Sequence, residues 1–242
     1  MAIFESDLSR SMQGLREHLS RLIVEAGHRR ILDLPAGTGE LTRMLMGEGR
    51  EVVAADIVPE AFSIPGQTCV RADLNKELPF ESSSFDAIAC IEGVEHIENP
   101  HLLAREAFRV LGPHGWLYVT TPNILSIRSR LSYLFRGYPN QFEWMIENYP
   151  LETAEQPAHI NPVGFLELRF VLSRWGFKVR KVQTNQMARQ RSIWYAVLRG
   201  IMISKGRSAA QRNSRVAAVR EILLSDPILY GDHLIIAAEK VS

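Results

Sequence analysis

The chain has 242 residues, 46% of them hydrophobic, which suffices for one α/β domain with a substantial core. Its 28 basic and 27 acidic side chains leave a net charge of +1, so overall charge selects no anionic or cationic partner. The opening MAIFESDLSRS lacks the basic-then-apolar pattern of a secretory leader, and no apolar run nears the roughly 20 residues of a membrane span; a cytoplasmic protein is expected.

In chain order, apolar residues at helical spacing from Leu8 to Ile23 predict an amphipathic helix over Ser6 to Ala26. Strands follow at Arg30 to Leu34, Glu51 to Ala55 and Thr68 to Ala72, separated by a helix at Glu40 to Met46 and a short helical connection. A fourth strand, Phe85 to Ile91, a helix, His101 to Leu111, and a fifth strand, Trp116 to Thr120, complete a βαβ series. Residues 122–162 are proline-containing and aromatic, and read as a lid. Beyond them come a helix, Val163 to Trp175, a strand, Phe177 to Gln183, a basic insertion over 184–227, and a last strand, His233 to Glu239. The alternation implies a Rossmann-like α/β fold, one domain over 1–242, with ligands at the carboxyl ends of a mostly parallel sheet. Cys69 and Cys90 lie in apolar strand-like runs without metal spacing, as reduced thiols would.

Functional residues are therefore sought just after each strand. ILDLPAGTGE, Ile31 to Glu40, is a strand ending in a small-residue turn that opens into a helix, so a ligand can approach the backbone of Pro35, Ala36, Gly37, Thr38 and Gly39. A dinucleotide site would want a small residue at Thr42 and has no use for Asp33. S-adenosylmethionine carries an ammonium and a sulfonium but no phosphate, and suits a carboxylate there. Asp56 ends VVAAD, placed for ribose hydroxyls and followed by Ile57. Asp73 closes CVRAD before Leu74, placed for the adenine amino group. Ile91 ends the fourth strand on the same edge. Any one of these aspartates alone would serve equally as a helix N-cap; three at successive strand ends are the specific feature.

ILDLPAGTGELTRML, VVAAD and ADLNKELPFESSSFDAIACIEGVEHIENP resemble the successive motifs of the class I S-adenosylmethionine-dependent methyltransferases over about residues 28–121. LPFESSSFDAI, EGVEHIENP and LGPHGWLYVTTPN are similar to the ubiquinone-biosynthesis O-methyltransferase group and its bacterial relatives. The resemblance implies a seven-stranded sheet whose antiparallel last strand is inserted beside the fifth. Pro35 replaces the glycine usual in that loop.

For the acceptor, CIEGVEHIE offers Glu92, Glu95 and His96, whose spacing puts them on one side of a short helical turn, and PAHINP offers His159. Glu95, His96 and His159 are the candidate catalytic groups, either histidine serving as general base. The set also resembles the magnesium site of small-RNA 2′-O-methyltransferases, which implies that Glu92, Glu95, His96 and His159 hold Mg2+ or another divalent ion; ordinary hydrogen bonding is the alternative.

Asn123 to Tyr138 is cationic and amphipathic, with Ile127, Leu131, Leu134 and Phe135 on one face and Arg128, Arg130 and Arg136 on the other. Lys178 to Arg220 holds Lys178, Arg180, Lys181, Arg189, Arg191, Arg199, Lys205, Arg207, Arg212, Arg215 and Arg220 but no acidic residue, around the apolar SIWYAVLRGIMIS. Such a segment suits an anionic membrane surface at the inner face or a lipid-linked acceptor, or else caps the sheet. The leading expectation is O-methylation of a small-molecule, lipid-linked or saccharide hydroxyl. Nucleic acid ranks below these, because the isoelectric point is only 7.9 and no RNA-binding module is evident. An RNA 2′-O-methyltransferase and a non-catalytic S-adenosylmethionine-binding regulator are the rivals.

Overall fold

A computed structural model describes residues 2–142, 159–187, 193–205 and 214–241. Helix α1 (Ala2–Glu25) leads into β1 (Arg30–Asp33), α2 (Glu40–Gly47), β2 (Glu51–Asp56), β3 (Cys69–Arg71) and β4 (Phe85–Cys90). Then come α3 (Pro100–Val110), β5 (Leu111–Pro122), α4 (Ile127–Arg136), α5 (Phe165–Arg174) and β6 (Phe177–Gln183). Helices α6 (Ile193–Lys205), α7 (Ser214–Leu223) and α8 (Asp226–Tyr230) precede β7 (His233–Lys240). The expected helical connection between β2 and β3 is a 3-10 turn, Pro59–Ala61.

The strands form one sheet in the order β3-β2-β1-β4-β5-β7-β6. All neighbours on the β3 to β5 side pair in parallel, whereas β7 lies antiparallel between β5 and β6, as the resemblance implied. Alternation sends Ile31, Ala87, Tyr118 and Ile235 into one apolar layer and Leu32, Ile88, Leu117 and Leu234 into the other. Leu15, Leu19 and Ile23, spaced by four on α1, are fully buried against the first layer. On the opposite layer, Leu168, Val171 and Leu172 of α5 pack beside Ala104 and Ala107 of α3. Asn99 caps α3 by accepting from the N–H groups of His101 and Leu102, with Pro100 at the first helical position.

In the insertions, Tyr195, Leu198 and Met202 of α6 pack on Ile127, Leu229 and Tyr230, which ties α6 to α4 and α8. The face expected of α4 divides: Ile127 is buried, but Leu134 is 71% and Phe135 79% exposed, because α4 runs past the layer that supports its start. Arg130 turns inward instead, donating from Nε to the Leu125 carbonyl at 2.7 Å. Residues 143–158 of the expected lid, and Arg189, Arg191, Arg207 and Arg212, lie outside the described residues. No helix among the described residues is long and apolar enough to cross a membrane.

Candidate functional site

At the carboxyl ends of β1 and β2 lies a cavity of about 170 Å³. It is lined by Asp33, Pro35, Ala36 and Gly37 from β1 and its turn, by Asp56 from β2, by Ile91 and Glu92 after β4, and by Met12, Arg16 and Leu41 from α1 and α2. Asp33 is 1% exposed and accepts a 2.6 Å hydrogen bond from the Thr42 hydroxyl. Burial pushes its carboxyl up to about 7, against the opposing pull of Thr42 and of the Arg16 charge. Asp56 stitches the turn to β2: Oδ2 accepts from Gly37 N–H at 2.8 Å and Oδ1 from Val58 N–H at 2.9 Å. Gly39, at φ 91°, sits so close to Ile64 and Phe62 that a Cβ would lie 2.5 and 2.6 Å from them. Any side chain there would force Ile64 and Phe62 to shift and strain the backbone, which favours glycine. From α1, Arg16 reaches in while paired with Glu40.

Beside this cavity a second group of polar side chains gathers on the 3-10 turn Val94–His96. The Glu95 carbonyl accepts from Ile160 N–H at 2.9 Å and Asn161 N–H at 3.0 Å, which docks the segment bearing His159 onto the turn. The rings of His96 and His159 then meet edge to face, 4.8 Å between centroids. A 2.8 Å hydrogen bond between His159 Nδ1 and the Gln141 carbonyl puts the proton on Nδ1 and leaves Nε2 as an acceptor. Glu95 is fully buried; Glu92 and Thr121 are near, yet neither carboxyl oxygen has a well-formed hydrogen bond among the described residues. That burial, reinforced by the Glu92 charge, holds the Glu95 carboxyl well above the usual carboxylate range. Ligand atoms of Glu95, His96 and His159 all lie within 4.8 Å of one another.

Residues 32–119 match the family model described as a methyltransferase domain. The chain is 30% identical over 116 residues to a ubiquinone biosynthesis O-methyltransferase of Xylella fastidiosa (strain M23), covering 44% of this chain and 47% of that one. It thus spans about half the length of that relative. An S-adenosylmethionine-dependent methyltransferase from Archaeoglobus fulgidus superposes with a TM-score of 0.58 at 20% identity, over 93% of this chain and 94% of that one. Another, from Mesorhizobium loti, gives 0.51 at 16% identity over 88% and 90%. Residues 32–119 thus match a methyltransferase domain, and the chain shares the fold of S-adenosylmethionine-dependent methyltransferases.

The cavity's carboxylates, Gly37 and single arginine fit S-adenosylmethionine, a ligand bearing an ammonium, a sulfonium and a carboxylate. Of the residues read from the sequence, Asp33, Pro35, Ala36, Gly37, Asp56 and Ile91 meet around it. Thr38, Gly39, Ile57, Asp73 and Leu74 follow the same strand ends but do not line it. Asp73 faces its own turn, accepting from Asn75 N–H at 2.9 Å with Lys76 Nζ 3.3 Å away, and Ile57 stands exposed beside Asp56. Of the residues read from the sequence for the acceptor side, the ligand atoms of Glu95, His96 and His159 come together and Glu92 adjoins Glu95 at the edge of that group, preceding the turn in a left-handed conformation, φ 47°. Its carboxylate goes to Thr120 and His233. Arg16, Thr120 and His233 escaped the sequence reading. Arg16 is one of many basic positions on an amphipathic helix, and nothing local marks His233 at the start of a strand.

Proposed function

We propose that the protein methylates a hydroxyl oxygen of a small, lipid-linked or saccharide-linked acceptor. The observation that carries this reading is the abutment of the two sites: Glu92 borders the donor cavity and also adjoins Glu95 of the Glu95–His96–His159 group. Bound S-adenosylmethionine supplies a methyl group activated by its positive sulfur. As the acceptor oxygen forms its bond to the methyl carbon, the carbon–sulfur bond breaks, its electron pair stays on sulfur, and the hydroxyl proton passes to a base. Asp33 and Asp56 hold the donor's ammonium and ribose, and Arg16 its carboxylate. His159, its Nδ1 proton committed to Gln141, presents Nε2 to take the hydroxyl proton. Removing that base should lower kcat by about 10²-fold or more while leaving donor affinity unchanged. A kinetic comparison of His159→Ala with the parent, using a hydroxyl acceptor, checks this. Equal kcat would overturn the role.

The unmatched oxygens of buried Glu95 support a second component of this reading. Glu95, His96 and His159 suit a divalent ion, which would take His159 Nε2 as a ligand in place of its role as base and would itself draw the acceptor hydroxyl toward ionisation. The His159 bond to Gln141 is the kind of outer contact that orients a ligating imidazole. Loss of turnover in chelator, restored by Mg2+ or Mn2+, is expected; turnover unaffected by chelator would remove the ion.

The acceptor's origin is read from α4 and α6. Tyr133, Leu134 and Phe135 on one, and Ile193, Trp194, Val197 and Ile201 on the other, are all exposed. Exposed Arg128 and Arg136 flank them, and Lys178 to Arg220 carries no acidic residue to oppose an anionic surface. Apolar rings beside cations suit the face of an anionic bilayer, from which a lipid-linked acceptor is collected.

A further inference from the structure

Glu92 stands at the boundary between the donor cavity and the acceptor group. The transferred methyl crosses that boundary, so the reacting sulfur of the donor belongs beside Glu92; this step rests on the donor-pocket reading above. Three restraints keep the carboxylate there. Its residue adopts φ 47°, a conformation uncommon outside glycine, and donates its N–H to Thr120 Oγ1 at 3.0 Å. The Thr120 hydroxyl returns a 2.8 Å hydrogen bond to Oε1. Oε2 lies 3.4 Å from Nε2 of His233, which is almost fully buried at the start of β7. Thr120 and His233 sit on adjacent antiparallel strands, His233 opposite Pro122, so both side chains emerge on one face of the sheet. A backbone in this region persists where its surroundings over-determine it, and here two strands do so.

We propose that Glu92, positioned by Thr120 and His233, distinguishes the charged methyl donor from its spent product. Before transfer the donor sulfur carries a positive charge; afterwards it is a neutral thioether, while ammonium, carboxylate and nucleoside are unchanged. A carboxylate fixed beside the sulfur stabilises the donor and gives the product no matching attraction. Asp33 and Asp56 act on groups common to both ligands and do not separate them. Glu92 therefore favours exchange of product for fresh donor, and His233 is a positioning residue acting through it.

The test is the ratio of dissociation constants for S-adenosylmethionine and S-adenosylhomocysteine, measured by calorimetry on the full chain. Glu92→Gln should weaken the donor and spare the product, shifting the ratio by about tenfold. His233→Leu should move it in the same direction, and His233→Gln, which keeps a donor near Nε2, should restore it. A merely structural role for either residue would weaken both ligands alike and leave the ratio fixed. An unchanged ratio in Glu92→Gln, with both ligands still bound, overturns the proposal and leaves the donor pocket standing. A shift in Glu92→Gln without one in His233→Leu overturns the part assigned to His233. If the parent chain binds neither ligand, the donor-pocket reading fails and this inference with it.

Discussion

Asp33 shows how one buried carboxyl couples stability to ligand chemistry. Its value of about 7 in the folded chain exceeds the ordinary 3.8, so between those pH values the folded protein holds a proton that the unfolded chain has released. Its contribution to stability is full below about pH 4 and is lost as pH rises through about 7, on the order of a few kcal/mol. Thermal melts from pH 5 to pH 8 should show this decline in the parent and a flatter profile in Asp33→Asn. The donor ammonium favours the ionised form, so donor affinity should rise over the same interval, with proton release seen as a buffer-dependent binding enthalpy. A pH-independent affinity would remove Asp33 from the ammonium. Asp33, Asp56 and Gly37 were legible in the sequence because position after a strand fixes where a short side chain or bare backbone must lie. Asp73 shares that position, but its turn supplies nearer partners in Asn75 and Lys76. Thr42, which seemed only the wrong size for a dinucleotide site, is the hydroxyl that anchors Asp33.

Among the elements, the β1 turn and the start of α2 tolerate least change. At Gly39 a methyl group would meet Phe62 and Ile64 well inside contact distance, and φ 91° already excludes most side chains. Gly39→Ala should cost about 1–3 kcal/mol, read as a lowered denaturant midpoint with unchanged slope. No loss would mean that the segment holding Phe62 and Ile64 yields freely. The strands, and the helices outside 184–227, were legible to within about five residues, the widest miss being β5, which begins at Leu111 and not Trp116, because buried strands of Val, Ile and Ala alternate with helical periodicity. Two features were not. Periodicity shows that α4 has an apolar face but not how far its support extends, so Leu134 and Phe135 fall in solvent. Residue spacing likewise assumes regular backbone, and the left-handed turn at Glu92 puts that residue at the edge of the set that spacing had assembled.

At the scale of the whole molecule, α4 and α6, each with exposed apolar side chains, are tied together through Ile127, Leu198 and Met202. The protein should co-sediment with vesicles rich in phosphatidylglycerol and not with pure phosphatidylcholine. Trp194→Asp combined with Phe135→Asp should abolish this while sparing donor binding. Salt-sensitive binding to short RNA in place of vesicles would instead favour a nucleic-acid partner. The pairing order of the sheet also bears on how the protein is made. β6 joins the rest of the sheet only through β7, although β7 is synthesised dozens of residues later. A nascent chain can complete β1 to β5 while still on the ribosome, but β6 must wait as an unpaired edge until His233 to Lys240 emerges and slots in. Since that same stretch delivers His233 to Glu92, the arrival of β7 would close the sheet and fix the carboxylate at the rim of the cavity in one event.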